Sequence, residues 1–106
     1  MRIVGEWRDD TWYGRVTVDG VEVVPLVSQA VHNHSPDGFA WGYPGSGPHQ
    51  LALGLLLHVG VKPARAYQLH YKLAREFVSR LPDGRGFEIE FDVLGWAAAQ
   101  PDGFAT

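Results

Sequence analysis

The chain predicts an α+β fold, a small antiparallel β-sheet of N-terminal hairpin strands packed on two to three α-helices. Three observations predict it. β-branched residues flank Asp19-Gly20 in "YGRVTVDGVEVV", the apolar period changes at Pro48, and "PARAYQLHYKLAREFVSRL" carries one apolar stripe. With 106 residues, 45% apolar and 20% charged, the chain has room for a single domain, residues 1–100, and a flexible C-terminal tail, 101–106. A core of this size must draw on its four Trp, four Tyr and five Phe, so most aromatics are expected to be structural.

Strands are expected near 2–8, 13–18 and 21–25. Asp19-Gly20 supplies the two positive φ angles of a type I′ turn, and Pro25, which cannot donate to a ladder, should end the third strand or sit on an edge. Residues 26–47 read as irregular, except that "FAWGY" suits a short strand with Phe39, Trp41 and Tyr43 on one face. "PHQLALGLLLHVG" is apolar all round, which marks a central helix surrounded by other elements, with Gly60 at its C-terminal cap. Pro63 opens a long second helix whose stripe is Ala66, Leu69, His70, Leu73, Phe77 and Leu81. Its opposite face carries Arg65, Gln68, Lys72 and Arg75, and Lys72, Glu76 and Arg80 stand at i,i+4 spacing, so mutual pairing explains much of that charge. In 87–97 strand and helix periods overlap; a very short extended segment followed by a helix from about 90 to 99 is the expected solution.

Composition removes several function classes. Without Cys there is no disulfide, thiolate nucleophile or Cys-type zinc site. A formal charge of −3 gives no general drive toward duplex nucleic acid or acidic membranes. The start "MRIVGEWRDD" lacks the apolar run of a signal peptide, and "LALGLLLHV" falls far short of the ~20 residues that cross a bilayer. The expectation is a soluble, cytoplasmic protein.

One stretch carries the candidate site. In "GSGPHQLAL", Ser46 or Gly47 can serve as N-cap and Pro48 fits the first turn. The first free N–H groups, including those of His49 and Gln50, would then face outward with the positive end of the helix dipole, where phosphate or carboxylate binds. Trp41 or Tyr43 could stack on a ring, while Gly45 and Gly47 let a ligand approach the backbone. The same residues are also good helix-start chemistry, and a purely structural role accounts for them equally well. The stretch is not a P-loop, since "PH" stands where Lys-Ser/Thr is required, and "GYPGSG" lacks the dinucleotide glycine spacing.

"VHNHSPDG" brings His32 and His34 to one side of an extended segment, with Asp37 and His49 as further donors. No HExxH or comparable spacing supports a metal, so none is assigned; "HNH" alone is no nuclease signature. His34 and Ser35 can instead act through hydrogen bonds, and His58 and His70 read as partly buried helix residues. There is no Ser-His-Asp order or nucleophile elbow, and the alternating Glu88, Glu90 and Asp92 suit a solvated face. No catalytic residue and no cofactor is assigned.

Residues 33–53, "NHSPDGFAWGYPGSGPHQLAL", resemble an uncharacterised family of small bacterial and phage proteins, a domain of unknown function with the pattern N-H-S-P-x-G-F-x-W-G-Y-x-G-S-G-P-x-Q-L-A-L. "AYQLHYKLAREFVSRLP" is similar to the family's second-helix pattern, and Pro44 departs from it where the family is glycine-like. The resemblance implies no activity, but it ties polar members such as His34, Ser46 and Gln50 into one unit with the loop. The binding residues expected are therefore His34, Ser35, Trp41, Tyr43, Gly45, Ser46, Gly47, His49 and Gln50. They would capture a nucleotide or other small anionic ligand, and a phage member could thereby sequester a host defence signal. The alternative is a protein-interaction module, an inhibitor or accessory subunit, that uses Trp7, Trp12 and Tyr13 or the basic helix face, with "GSGP" purely structural.

Overall fold

A computed structural model describes residues 1–8 and 13–101. Strands β1 (Arg2–Trp7), β2 (Gly14–Val18), β3 (Val21–Glu22) and β4 (Phe87–Glu90) form an antiparallel sheet in the order β3-β2-β1-β4. Ile3 opposes Val18 and Gly5 opposes Val16 on one side of β1, while Gly5 faces Phe87 on the other. These residues alternate inward and are buried, and a Cβ at Gly5 would collide with the Phe87 ring. The turn between β2 and β3 has φ 49° at Asp19 and 83° at Gly20, as a type I′ hairpin requires.

The third strand stops at Glu22, three residues short of expectation. Pro25 opens helix α1 (Pro25–Val31), because its fixed φ and missing N–H suit a first helical position as well as a strand end. An irregular path is expected for 26–31 because α1 has no apolar core stripe. Its only fully buried residue is Ser28, whose hydroxyl donates to Pro25 O at 2.8 Å, while Leu26 and Val27 are 71% and 59% exposed.

"FAWGY" is not a strand either; among the described residues only the Gly14–Phe39 bridge joins it to the sheet. The chain passes through the core here, burying Phe39, Ala40 and Trp41 alike, and Gly42 turns it at φ 86° where a Cβ would lie 2.5 Å from Asp83 Cα. Helix α2 (Ser46–His58) follows, buried from Gly47 to Leu56 apart from a half-exposed His49. It is the central helix, bordered by α1, by α3 (Pro63–Glu76), by a 3₁₀ turn (Val78–Arg80) and by α4 (Val93–Ala98). Gly60 N–H bonds Leu57 O and Val61 N–H bonds Leu56 O, both at 3.0 Å, with Gly60 at φ 94°: a Schellman cap.

The α3 stripe is buried at Ala66, Leu69, His70 and Leu73, as its spacing predicts, but the α-helix ends at Glu76. Phe77 leaves helical geometry (φ −127°, ψ −63°) and the chain tightens into the 3₁₀ turn before Leu81, whose position ahead of Pro82 disfavours continued helix. Strand and helix both occur in 87–97: β4 to Glu90, then α4 from Val93, with Asp92 accepting from Gly95 N–H at 2.9 Å. Ile3, Val16, Leu51, Leu55, Leu69, Leu73 and Val93 share one apolar core. Pro101 lies in the expected loose tail, yet its carbonyl accepts from Arg65 at 3.1 Å; residues 102–106 of that tail lie outside the described residues. No described helix is long and apolar enough to cross a membrane.

Candidate functional site

Gln50 projects from α2 and is fully buried. Its Oε1 accepts from His34 N–H (2.7 Å) and Ser35 N–H (2.9 Å), and its Nε2 donates to Ser28 Oγ (2.9 Å) and His32 O (3.1 Å). Every hydrogen-bonding capacity of the amide is used, so Gln50 shapes the 32–35 loop and has nothing left for a ligand. Gln29 adds a bond from Nε2 to Ser35 O at 2.8 Å, and Ser35 is itself buried.

Trp41 also belongs to the scaffold. It is fully buried, its Nε1 donates to Arg85 O at 2.8 Å, and Trp7 and Phe87 pack edge-on at 5.2 and 5.0 Å. The expected stacking face of Trp41 is therefore enclosed. Gly47 is buried where a Cβ would lie 2.6 Å from Ala40 Cβ, so close helix packing explains that glycine. The N-cap is Gly45, one or two residues earlier than expected, and it supplies no capping side chain. His49 N–H is not free as anticipated: it bonds Gly45 O at 3.1 Å within the first turn.

The remaining expected residues, His34, Tyr43, Gly45, Ser46 and His49, reach the surface. Tyr43 lies over Gly45, and burial, with Tyr13 and Asp83 nearby, raises its phenol above the usual range. Gly45 and His49 line a groove of about 280 Å³ between the start of α2 and the far half of α3, together with Pro44, Pro48, Tyr71 and Arg75. Among the described residues no carboxylate lines this groove and Arg75 forms no ion pair.

Behind the groove stands a cluster that the sequence dispersed over three elements. His34 lies 4.3 Å from His32, 5.6 Å from His49 and 5.0 Å from His70 between ring centroids, and Tyr67 and Tyr71 flank them. His70 is fully buried; its Nδ1 lies 2.5 Å from Tyr67 O and its Nε2 2.8 Å from His34 Nε2. A carbonyl only accepts, so His70 carries its proton on Nδ1, which leaves Nε2 as acceptor and makes His34 Nε2–H the donor. Burial pulls the His70 imidazole down to about 4 against the opposing Tyr67 carbonyl, and it lowers His34 and His49 too; for His34, the charges of His32 and His49 add to this. The Tyr67 hydrogen bond raises the Tyr71 phenol, with burial second.

Sequence reading placed His70 in the core stripe and missed Tyr67, Tyr71 and Arg75. Tyr67, His70, Tyr71 and Arg75 stand at i, i+3, i+4 and i+8, which puts them along one edge of α3, a signal that needed the position of α2 to acquire meaning. A family model described as a family of unknown function (DUF6166) matches residues 7–99. Among curated proteins and among solved structures, nothing matches the chain significantly.

Proposed function

The chain belongs to this family of unknown function, DUF6166, and we propose from its geometry that it captures a small anionic, nucleotide-like ligand in the groove between α2 and α3. The observation that carries this reading is the coincidence, in one concavity lined by no carboxylate among the described residues, of the positive end of the α2 dipole and an arginine that has no ion pair among those residues; Pro48 and the bonded His49 amide offer the groove no free N–H, so Arg75 is its principal donor. Both favour negative charge, and Arg75 can hold phosphate through two parallel N–H donors. Tyr71, 41% exposed, takes the stacking role first expected of Trp41, and His49 replaces Gln50 as the polar contact. At about 280 Å³ the groove sits near the lower end of the ~300–1,000 Å³ usual for ligand pockets, which suits a mononucleotide fragment more than a dinucleotide. A second groove, about 260 Å³, is lined by Arg8, Arg15, Glu22 and Asp37, charges of both signs that give an anion no preference. In a phage such capture would serve to sequester a host signal.

Calorimetry and thermal shift with inorganic phosphate and a panel of mono- and dinucleotides test the reading. The expected result is binding by a mononucleotide that Arg75→Ala weakens at least ~10-fold, the loss of a charge-assisted pair. A full panel without heat or stabilisation at millimolar concentration would sink it.

An interaction module remains the alternative reading, favoured by a different surface from the one first expected. Trp7 is half-buried against Trp41, Trp12 lies outside the described residues, Tyr13 hydroxyl donates to Asp37 at 3.3 Å, and Arg65 and Lys72 hold Gln100. Instead Val24, Leu26 and Val27 leave apolar side chains exposed at α1, beside the Glu22 carboxylate. Leu26→Ser should abolish co-purification of any partner bound there while leaving nucleotide binding intact.

A further inference from the structure

Two imidazole nitrogens facing each other make an uncommon arrangement, and here it is held from behind. His70 is fixed by burial and by the Nδ1–H bond to Tyr67 O, the backbone-carbonyl support that orients metal-binding histidines in general. His34 is fixed through its own N–H on Gln50 Oε1. We infer that His34 and His70 form a preformed two-imidazole site for a nitrogen-seeking divalent cation of the zinc, nickel or copper class, completed by a swing of His49. This inference rests on a different pair of side chains from anion capture and shares only His49 with it.

The distances suit it. Two nitrogens bound at about 2.0–2.1 Å to one cation lie about 2.8–3.4 Å apart for right-angled to tetrahedral geometry, so the 2.8 Å pair stands at the right-angled limit and opens by about 0.6 Å at most, with a tilt of the rings. As placed, no three His, Asp or Glu side chains of the described residues converge on a cation position, and the pair is the whole preformed part. His49 is the third donor: its centroid is 5.6 Å from His34 and 6.3 Å from His70, and it is half-exposed on the groove side, with room to rotate. Solvent fills the remaining positions.

The chemistry of the surroundings selects the cation. The groups facing the pair are His32, His49, Tyr67 and Tyr71, with Arg75 farther along the groove, and no carboxylate stands among them. Nitrogen donors without oxygen anions favour zinc, nickel and copper over magnesium or calcium. His34 changes tautomer on binding, its proton moving from Nε2 to Nδ1, and the net proton count is unchanged.

The test uses the chelator-treated full chain in phosphate-free buffer, titrated separately with Zn²⁺, Ni²⁺ and Cu²⁺ by calorimetry and thermal shift. One cation per chain with clear stabilisation is expected, and His34→Gln should weaken it at least ~10-fold, while His58→Gln, on an exposed residue outside the cluster, should leave it unchanged. Long-range ¹H–¹⁵N spectra of the unaltered protein decide the matter even if His34→Gln fails to fold: Zn²⁺ should move the Nε2 signals of His34 and His70 and spare His58. No binding by any of the three cations at millimolar concentration overturns the inference. So does binding that His34→Gln leaves intact, or ¹⁵N shifts that avoid His34 and His70. Arg75→Ala should weaken nucleotide binding at least ~10-fold and leave zinc binding unchanged, so each reading can fail alone.

Discussion

The 32–50 segment and the facing edge of α3 present opposite relations between appearance and use. The segment is dense in distinctive residues, yet Gln50, Ser35, Trp41 and Gly47 turn inward and hold the scaffold. The α3 edge has the pattern of an ordinary amphipathic helix, yet it contributes His70, Tyr71 and Arg75 to the cluster and the groove. A loop that crosses a core must find a partner for each backbone group it buries, so polar residues beside it, Gln50 of α2 included, are first claimed by its main chain. A helix satisfies its backbone internally and leaves its side chains free for chemistry.

The largest break in this contrast should come from Gln50→Ala. It strands two amide N–H groups in the interior, at about 1–3 kcal/mol each, so denaturant unfolding should show a loss of about 3–5 kcal/mol. A loss below about 1 kcal/mol would show that the loop does not depend on Gln50.

Acid should act next, through α3. The His70 pKa is lower in the folded chain, about 4, than the ordinary 6.5, so the unfolded chain binds the proton first as pH falls. Stability of the metal-free protein should therefore decline from about pH 6.5 and level off below about pH 4, with a total loss near 3 kcal/mol. His34 and His49, also depressed, act in the same direction. Urea titrations across pH 4–8 measure it, and a flat profile would contradict the buried pair.

Trp41→Phe removes buried volume and the bond to Arg85 O, and should cost about 2 kcal/mol without altering nucleotide affinity. If affinity falls instead, the indole serves the site after all. The smallest effect on stability is expected of Arg75→Ala, within about 0.5 kcal/mol as for other exposed positions, although it carries the largest expected effect on ligand binding.

What the sequence disclosed follows the range of the causes. Asp19-Gly20, Gly60 and the α3 stripe act within a few residues, and the turn, the cap and the stripe from Ala66 to Leu73 stand where spacing put them. Helix α1 was hidden because its one buried residue is a serine that answers to Gln50, 22 residues on. "FAWGY" alternates like a strand, but Gly42 and the 81–83 backbone bend it through the core. The Gly-rich stretch was legible as the entry to α2, while the His34–His70 contact spans 36 residues and has no local trace.

Strand β1 lies in the middle of the sheet, between β2, seven residues after it, and β4, near the other end of the chain. Its second ladder can close only after residues 87–90 leave the ribosome, by which time everything up to α3 has been synthesised. Until then Gly5 lacks the Phe87 ring and one edge of β1 offers unpaired N–H and C=O groups to any extended chain nearby. Such a late, sequence-distant pairing should be slow to form, and truncation before β4 should yield a helical but aggregation-prone product.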